Sequence, residues 1–372
     1  MTFMILVVLG GAFFLAYSNG ANDNFKGVAT LYGSGLASYR SALVWATLAT
    51  LAGSLAAAFL AEKLVKLFSG SGLVPDATLQ DPTFLGGVVL GAGLAVYGTA
   101  RIGMPISTTH ALIGGLTGAG LAAAHDSFNF DPLLAKFFLP LAVAPFLPLL
   151  MIGGTSPIFT AISKASGRSR AGGERTGNGI PFLLARVRNV APNSGFRRPA
   201  PAPSVALEGR GMTLLPGTVG RLYDVVHVAS GGAVCFARAL NDTPKIVGIA
   251  LAAGAFDLEI GMVTIAIAMA LGGLLGARPV AETMSRRITH LSHGQGTLAN
   301  LTTSAVVLSA SAFGMPVSTT HVSVGAIVGV GAIRRQVNWR LTTGIISAWV
   351  LTLPAAMALA AMLYVGLGII PG

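Results

Sequence analysis

Residues 103–110 read GMPISTTH, and residues 314–321 read GMPVSTTH. Seven of the eight positions agree, and they lie more than half a chain apart, which marks an internal duplication rather than chance. A second pair, NDNFK at 22–26 and NDTPK at 241–245, shares Asn, Asp and Lys at the same spacing. Because two motifs recur in the same order, the repeating unit is a whole half of the chain.

The sequence around these motifs is apolar. Of 372 residues, 53% are hydrophobic and only 10% charged, with a mean hydropathy of +0.73, a composition that would aggregate in a soluble domain. Stretches 41–61, 83–100, 137–162, 260–277 and 341–370 lack any acidic or basic side chain. Each reaches the length of about 18 residues that a helix needs to cross a hydrocarbon core of roughly 30 Å. The fold class expected is an all-α polytopic membrane protein embedded in the lipid bilayer of the cell membrane. Glycine runs such as GGLTGAG at 114–120 read as close helix packing, not phosphate-cradling loops. Cys235 is the sole cysteine and forms no intrachain disulfide. The first segment lacks a basic leader and a small-residue cleavage site, so it reads as a retained span.

Charge locates the divide between halves. Residues 163–213 hold nine of the Lys and Arg residues against Glu174 and Glu208, which supplies most of the formal net charge of +11. With RRPAPAP inside it, this stretch reads as a basic, Pro- and Gly-rich cytoplasmic linker; lipid headgroups suit its charge, and no nucleic-acid partner is expected. The organisation expected is a transmembrane repeat over 1–162, the linker, and a second repeat over 214–372. Five apolar segments fall in the first half, at 3–32, 41–61, 83–100, 104–124 and 133–162. The second has them at 223–256, 259–277, 297–314, 315–333 and 341–370. An odd number of crossings gives the halves opposite orientation and puts the termini outside. The connectors agree with the positive-inside rule: Arg40, Arg101, Arg278, Arg286, Arg287, Arg334, Arg335 and Arg340 fall inside, and Asp76, Asp81, Asp126, Asp131, Asp257 and Glu259 outside, with Lys63 and Lys66 as exceptions. A re-entrant hairpin formed by the third and fourth segments leaves that parity unchanged. Inverted repeats with broken helices are the architecture of secondary transporters, whose sites lie where the halves meet.

Both motifs suit such a site. Segments 3–32 and 223–256 are longer than a straight span, and each carries Asn-Asp near its middle, so both are expected to be discontinuous helices. Asn22, Asp23, Asn241 and Asp242 then offer oxygens to a hard cation, or they cap a second half-helix. Lys26 and Lys245 follow their Asp by three residues, one turn away, and either neutralise it or serve as countercharge to an anionic substrate. In the octapeptide, Pro is expected in the first turn of a helix whose N-terminus attracts an anion. Ser107, Thr108 and Thr109, with Ser318, Thr319 and Thr320, would add hydroxyl donors to a tetrahedral oxyanion, with the two helix ends facing each other. Simple capping accounts for one hydroxyl per helix, not three in a row in both halves. His110 and His321 either contact the substrate or pack as neutral rings. No nucleophile, base and oxyanion set and no metal-ligand cluster is visible, so no enzyme activity, cofactor or bound metal is expected.

At these residues the sequence resembles the PiT family of inorganic phosphate transporters, whose signatures are a Gly-Ala-Asn-Asp segment early in each half and a Pro-Val/Ile-Ser-Thr-Thr-His segment later. GAND at 20–23 and both STTH copies match, and the resemblance covers both halves but not the linker. It implies symport of inorganic phosphate with Na⁺ or H⁺ as the coupling cation, and a homodimer with anion and cations held between the repeats. Two departures stand out: NFKG replaces the usual Val-Ala-Asn-Ala after GAND, and RALNDTPK keeps only Asn-Asp in the second half. A lysine beside each aspartate brings built-in positive charge, which puts Na⁺ coupling in question. A sulfate permease and a passive anion channel are the alternatives.

Overall fold

The computed structural model describes residues 2–165, 218–254, 257–333 and 335–369; the expected linker from residue 166 onward and Arg334 lie outside them. The first half contains α1 (Thr2–Asp23), α2 (Ala29–Gly33), α3 (Tyr39–Leu60), α4 (Pro82–Arg101), α5 (Thr108–Ala124) and α6 (Phe146–Ala165). The second contains α7 (Thr218–Ala252), α8 (Leu258–Gly276), α9 (His293–Ala312), α10 (Thr319–Ile333) and α11 (Trp339–Gly368), and shorter helical pieces lie between several of these elements. Among the described residues there is no β-strand. Among the described residues six helices are long and apolar enough to span a membrane: Phe3–Asp23, Tyr39–Leu60, Pro82–Arg101, Phe130–Thr155, Leu258–Gly276 and Trp339–Gly368. The protein is an all-α polytopic membrane protein. Helices α5 and α10 are short and buried around most of their circumference, which makes them interior elements.

Both copies of the octapeptide fold alike. In the first, Gly103 adopts φ +74 and donates its N–H to Ala100 O at 3.0 Å; in the second, Gly314 adopts φ +69 and donates to Ser311 O at 3.0 Å. A left-handed glycine is what ends α4 and α9, since a Cβ there would be strained. The residue before proline is held extended, and the chain then runs to Ser107 or Ser318, whose Oγ accepts the N–H of His110 (3.1 Å) or His321 (3.2 Å). Proline therefore lies two residues before the cap rather than in the first helical turn as expected: the serine takes the capping position, and proline stiffens the link before it.

The halves differ at the Asn-Asp segments. As expected, α1 ends at Asp23, turns through 24–28 and resumes as α2. The second is not broken: α7 continues through Asn241, Asp242 and Pro244. Gly27 sits in the first turn, where a Cβ would run into the Gly231 carbonyl and Cys235 of α7. In the second copy glycine comes later, at Gly248, where a Cβ would meet the Val65 carbonyl, and the helix stays whole at the cost of the one hydrogen bond that Pro244 cannot donate.

Helix packing repeats across the duplication. Helix α1 lies against α4 and α8, while α7 lies against α9 and α3. The last helix of each half packs on the hairpin of the other: α11 covers α4 and α5, and α6 covers α9 and α10. Small residues permit the close approach between halves, because a Cβ on Gly20 would strike the Met269 carbonyl and one on Gly272 the Tyr17 carbonyl. The interleaving brings both Asn-Asp segments and both hydroxyl clusters to one place.

Candidate anion site where two helix N-termini meet

The start of each hairpin helix touches the extended link before the other. Thr109 Oγ1 donates to Val317 O at 3.1 Å, and Thr320 Oγ1 donates to Ile106 O. The first turns of α5 and α10 are thus neighbours, and their N–H groups, which have no partner within their own helix, add the positive ends of two dipoles. Ser107, Thr108, Thr109, Ser318, Thr319 and Thr320 are all buried.

Each lysine crosses between halves. Lys245 Nζ donates to Asp242 Oδ1 (3.0 Å) in its own helix, and to Thr109 Oγ1 (2.8 Å) and Val317 O (2.9 Å). Lys26 Nζ donates to Asp23 Oδ1 and to Thr320 Oγ1. The two arrangements correspond, with a lysine from one half on its own aspartate and on the third hydroxyl of the other half's STTH segment in the case of Lys26, or of the first half's in the case of Lys245.

The carboxylates share partners at their other oxygens. Asn19 Nδ2 lies 3.2 Å from Asp23 Oδ2, 3.4 Å from Asp242 Oδ2 and 3.0 Å from Thr108 Oγ1. Thr319 Oγ1 lies 3.5 Å from Asp23 Oδ2 and 3.3 Å from Asp242 Oδ2. Asn19 is oriented by Arg238, whose Nη1 donates to Asn19 Oδ1 at 2.8 Å while Nη2 donates to Thr50 Oγ1 at 2.9 Å. The guanidinium engages the amide oxygen, so the amide nitrogen must face the carboxylates. Five ionisable side chains are thereby buried together: Lys26, Lys245 and Arg238 against Asp23 and Asp242. Isolated, each would cost several kcal/mol to bury, which is why all are hydrogen-bonded.

Other expected residues take different places. Asn22 pins the first hairpin by donating to Ile106 O (2.8 Å) and accepting Ile106 N–H (3.2 Å), and its Nδ2 also contacts Asp23 Oδ1. Asn241 Nδ2 instead donates to Ser311 Oγ at 2.8 Å, holding the end of α9. His110 and His321 pack against each other as tilted rings with centroids 4.7 Å apart, and His321 packs in the same tilted way on Trp349 at 4.0 Å. Trp349 Nε1 donates to Pro105 O at 3.0 Å, so this aromatic layer braces the proline link; neither imidazole hydrogen-bonds a hydroxyl, lysine or carboxylate of the cluster. Sequence reading missed Asn19, Arg238 and Thr50. Arg238 carried a signal, a further charge one turn before Asp242 in the same membrane-length segment.

The sequence model of the phosphate transporter family matches residues 19–360, which take in both octapeptides and both Asn-Asp segments. The chain belongs to this family. Among its relatives is a protein of Pyrococcus furiosus provisionally named a phosphate permease, 28% identical over 417 residues covering 99% of this chain and 97% of the relative. Another, from Rhizobium meliloti, is provisionally named a low-affinity inorganic phosphate transporter; it is 28% identical over 376 residues covering 98% of this chain and 97% of its own. A solved structure titled the sodium-dependent phosphate transporter superposes with a TM-score of 0.73 over 100% of both chains at 21% identity, and so shares the fold.

Proposed function

We propose that the protein imports inorganic phosphate across the cell membrane by cation-coupled symport, with the anion held where the N-termini of α5 and α10 meet. The observation that carries this reading is the convergence of two first-turn N–H sets, six Ser and Thr residues and three basic side chains on one buried point. A tetrahedral oxyanion needs donors from several directions, and two helix ends from opposite halves supply them from two sides. Lys26 and Lys245 already contact Thr320 and Thr109, so a small shift would move their charge from hydroxyl to substrate oxygen. Asp23 and Asp242, with Asn22 and Asn241 beside them, form the acidic side of the site that answers to the coupling cation.

In this reading the halves 1–162 and 214–372 are inverted copies, the linker is cytoplasmic and the termini are outside. The exchanged packing of α6 and α11 favours alternating access, since each covers the hairpin of the opposite half and rocking one half uncovers the other's helix tip. The family resemblance adds a homodimer. Proteoliposomes given phosphate or sulfate under separately imposed Na⁺ and H⁺ gradients test the activity. Phosphate should accumulate against its gradient; sulfate accumulation without phosphate, or flux that only runs downhill, would sink it.

A further inference from the structure

The lysines of the core sit among oxygens of the kind that hold a monovalent metal cation. Lys245 Nζ has a carboxylate oxygen at 3.0 Å, a hydroxyl at 2.8 Å and a backbone carbonyl at 2.9 Å. Lys26 Nζ has a carboxylate and a hydroxyl at the corresponding place in the other half, next to the Ile106 carbonyl that Thr320 bonds. In transporters unwound backbone carbonyls coordinate Na⁺ while half-helix N-termini face the anionic substrate; here a carboxylate and a hydroxyl join the Val317 carbonyl as oxygens of the kind Na⁺ takes. We propose that the ammonium groups of Lys26 and Lys245 are tethered cations that occupy these two positions, so that the protein binds and transports phosphate without Na⁺.

Charge counting supports this. Lys26, Lys245 and Arg238 against Asp23 and Asp242 leave the buried cluster one positive charge ahead. Two added Na⁺ ions would raise that to three in a medium that screens poorly, and each would have to displace an ammonium from its only carboxylate. One monovalent oxyanion balances the cluster as it stands. Arg238 strengthens the case, because it already supplies positive charge on the far side of Asn19 from both carboxylates. The solved structure sharing this fold carries sodium dependence in its title; this chain departs from it in the coupling ion while keeping the architecture. The inference rests on the phosphate-transport reading and narrows its coupling cation to H⁺.

Two measurements separate the failure of one reading from that of the other. Thermal unfolding of the purified full-length protein without phosphate, in NaCl against choline chloride at equal ionic strength, reports Na⁺ binding alone. No Na⁺-specific stabilisation is expected; a rise in melting temperature that saturates with Na⁺ overturns the inference whether or not phosphate is transported. Phosphate uptake into proteoliposomes should agree within about twofold in Na⁺ and choline and be driven by an acid-outside gradient, whereas a tenfold or greater Na⁺ stimulation also overturns it. Loss of uptake under every gradient would count against the transport reading and leave the unfolding result to decide. Lys26→Gln and Lys245→Gln each open one oxygen-lined position beside a carboxylate. Either variant should acquire the Na⁺-specific stabilisation that the unaltered protein lacks, and a folded variant with no such gain contradicts the proposal.

Discussion

Replacing Arg238 by Met removes a charge that contacts neither aspartate, and the structure says why it should still be among the costliest changes in the molecule. Two hydrogen bonds from a charged donor disappear, at 2.8 Å to Asn19 and 2.9 Å to Thr50. At about 1.5–3 kcal/mol for each such bond the direct loss is about 3–6 kcal/mol. Asn19 also loses what fixes its amide, and a flip would place its oxygen against the Oδ2 atoms of Asp23 and Asp242. The expected loss agrees with the roughly 3–5 kcal/mol typical of breaking a buried charge network by removing one partner. Reversible unfolding in mixed micelles with rising denaturing detergent measures it, and the folded-to-unfolded ratio should fall by about 10²- to 10⁴-fold. Arg238→Lys keeps the charge but not the fork that reaches two acceptors, so it should recover about half of the loss. An Arg238→Met protein within about 1 kcal/mol of the parent would refute the idea that Arg238 orients the carboxylate pair.

Thr109→Val and Thr320→Val keep shape while removing the hydroxyl that links a lysine to the opposite hairpin; each should weaken phosphate binding by roughly tenfold to a hundredfold, read by titration calorimetry. His321→Phe preserves the ring contact with Trp349 and should retain most phosphate uptake, whereas His321→Ala opens a gap beside the proline link and should lower thermal stability by roughly 2–4 kcal/mol. Gly20→Ala pushes a methyl into the Met269 carbonyl and should cost about 1–3 kcal/mol by detergent unfolding without changing which anion is carried. A cysteine at Asp126 should react with an impermeant thiol reagent from outside intact cells, and one at Arg335 only after lysis; Cys235 is buried and gives a low background. Labelling of both from the same side would end the inverted arrangement.

Much of this could be read from the chain because duplication prints structure into sequence. The repeated GMP[IV]STTH was legible as a duplicated helix start rich in hydroxyls, while the left-handed glycine and the serine cap that keeps proline out of the first turn emerged only in the folded chain. The helical, membrane-spanning character followed from apolar length alone. Partner choice was hidden. That Lys26 meets Thr320 and Lys245 meets Thr109 depends on how α1 and α7 pack against the opposite half, which no local spacing records. The continuity of α7 was hidden for a related reason. Asn-Asp in an apolar run looks the same whether the helix breaks or continues; the break goes with Gly27, packed against α7 directly after the first copy, while α7 continues even through Pro244.

The position that sequence reading overlooked shows how the copies have diverged. Asn19 lies four residues before Asp23, and Arg238 lies four residues before Asp242, so they are equivalent in the repeat; yet they touch each other at 2.8 Å. Equivalent residues meet only close to the axis relating the halves, where one side chain needs its own counterpart as partner. Two arginines there would repel across a few ångströms in a poorly screened interior. Two asparagines would satisfy each other but leave the cluster with lysines and aspartates in equal number and no surplus charge for an anion. One of each resolves both: the arginine supplies the surplus, and the asparagine passes its orientation to both carboxylates at once. If that is the reason for the asymmetry, the exchanged pair Asn19→Arg with Arg238→Asn should fold and bind phosphate better than either single change. Singles and double compared in a cycle should give a coupling of about 1–3 kcal/mol. Additive losses would show that each residue serves only its own half.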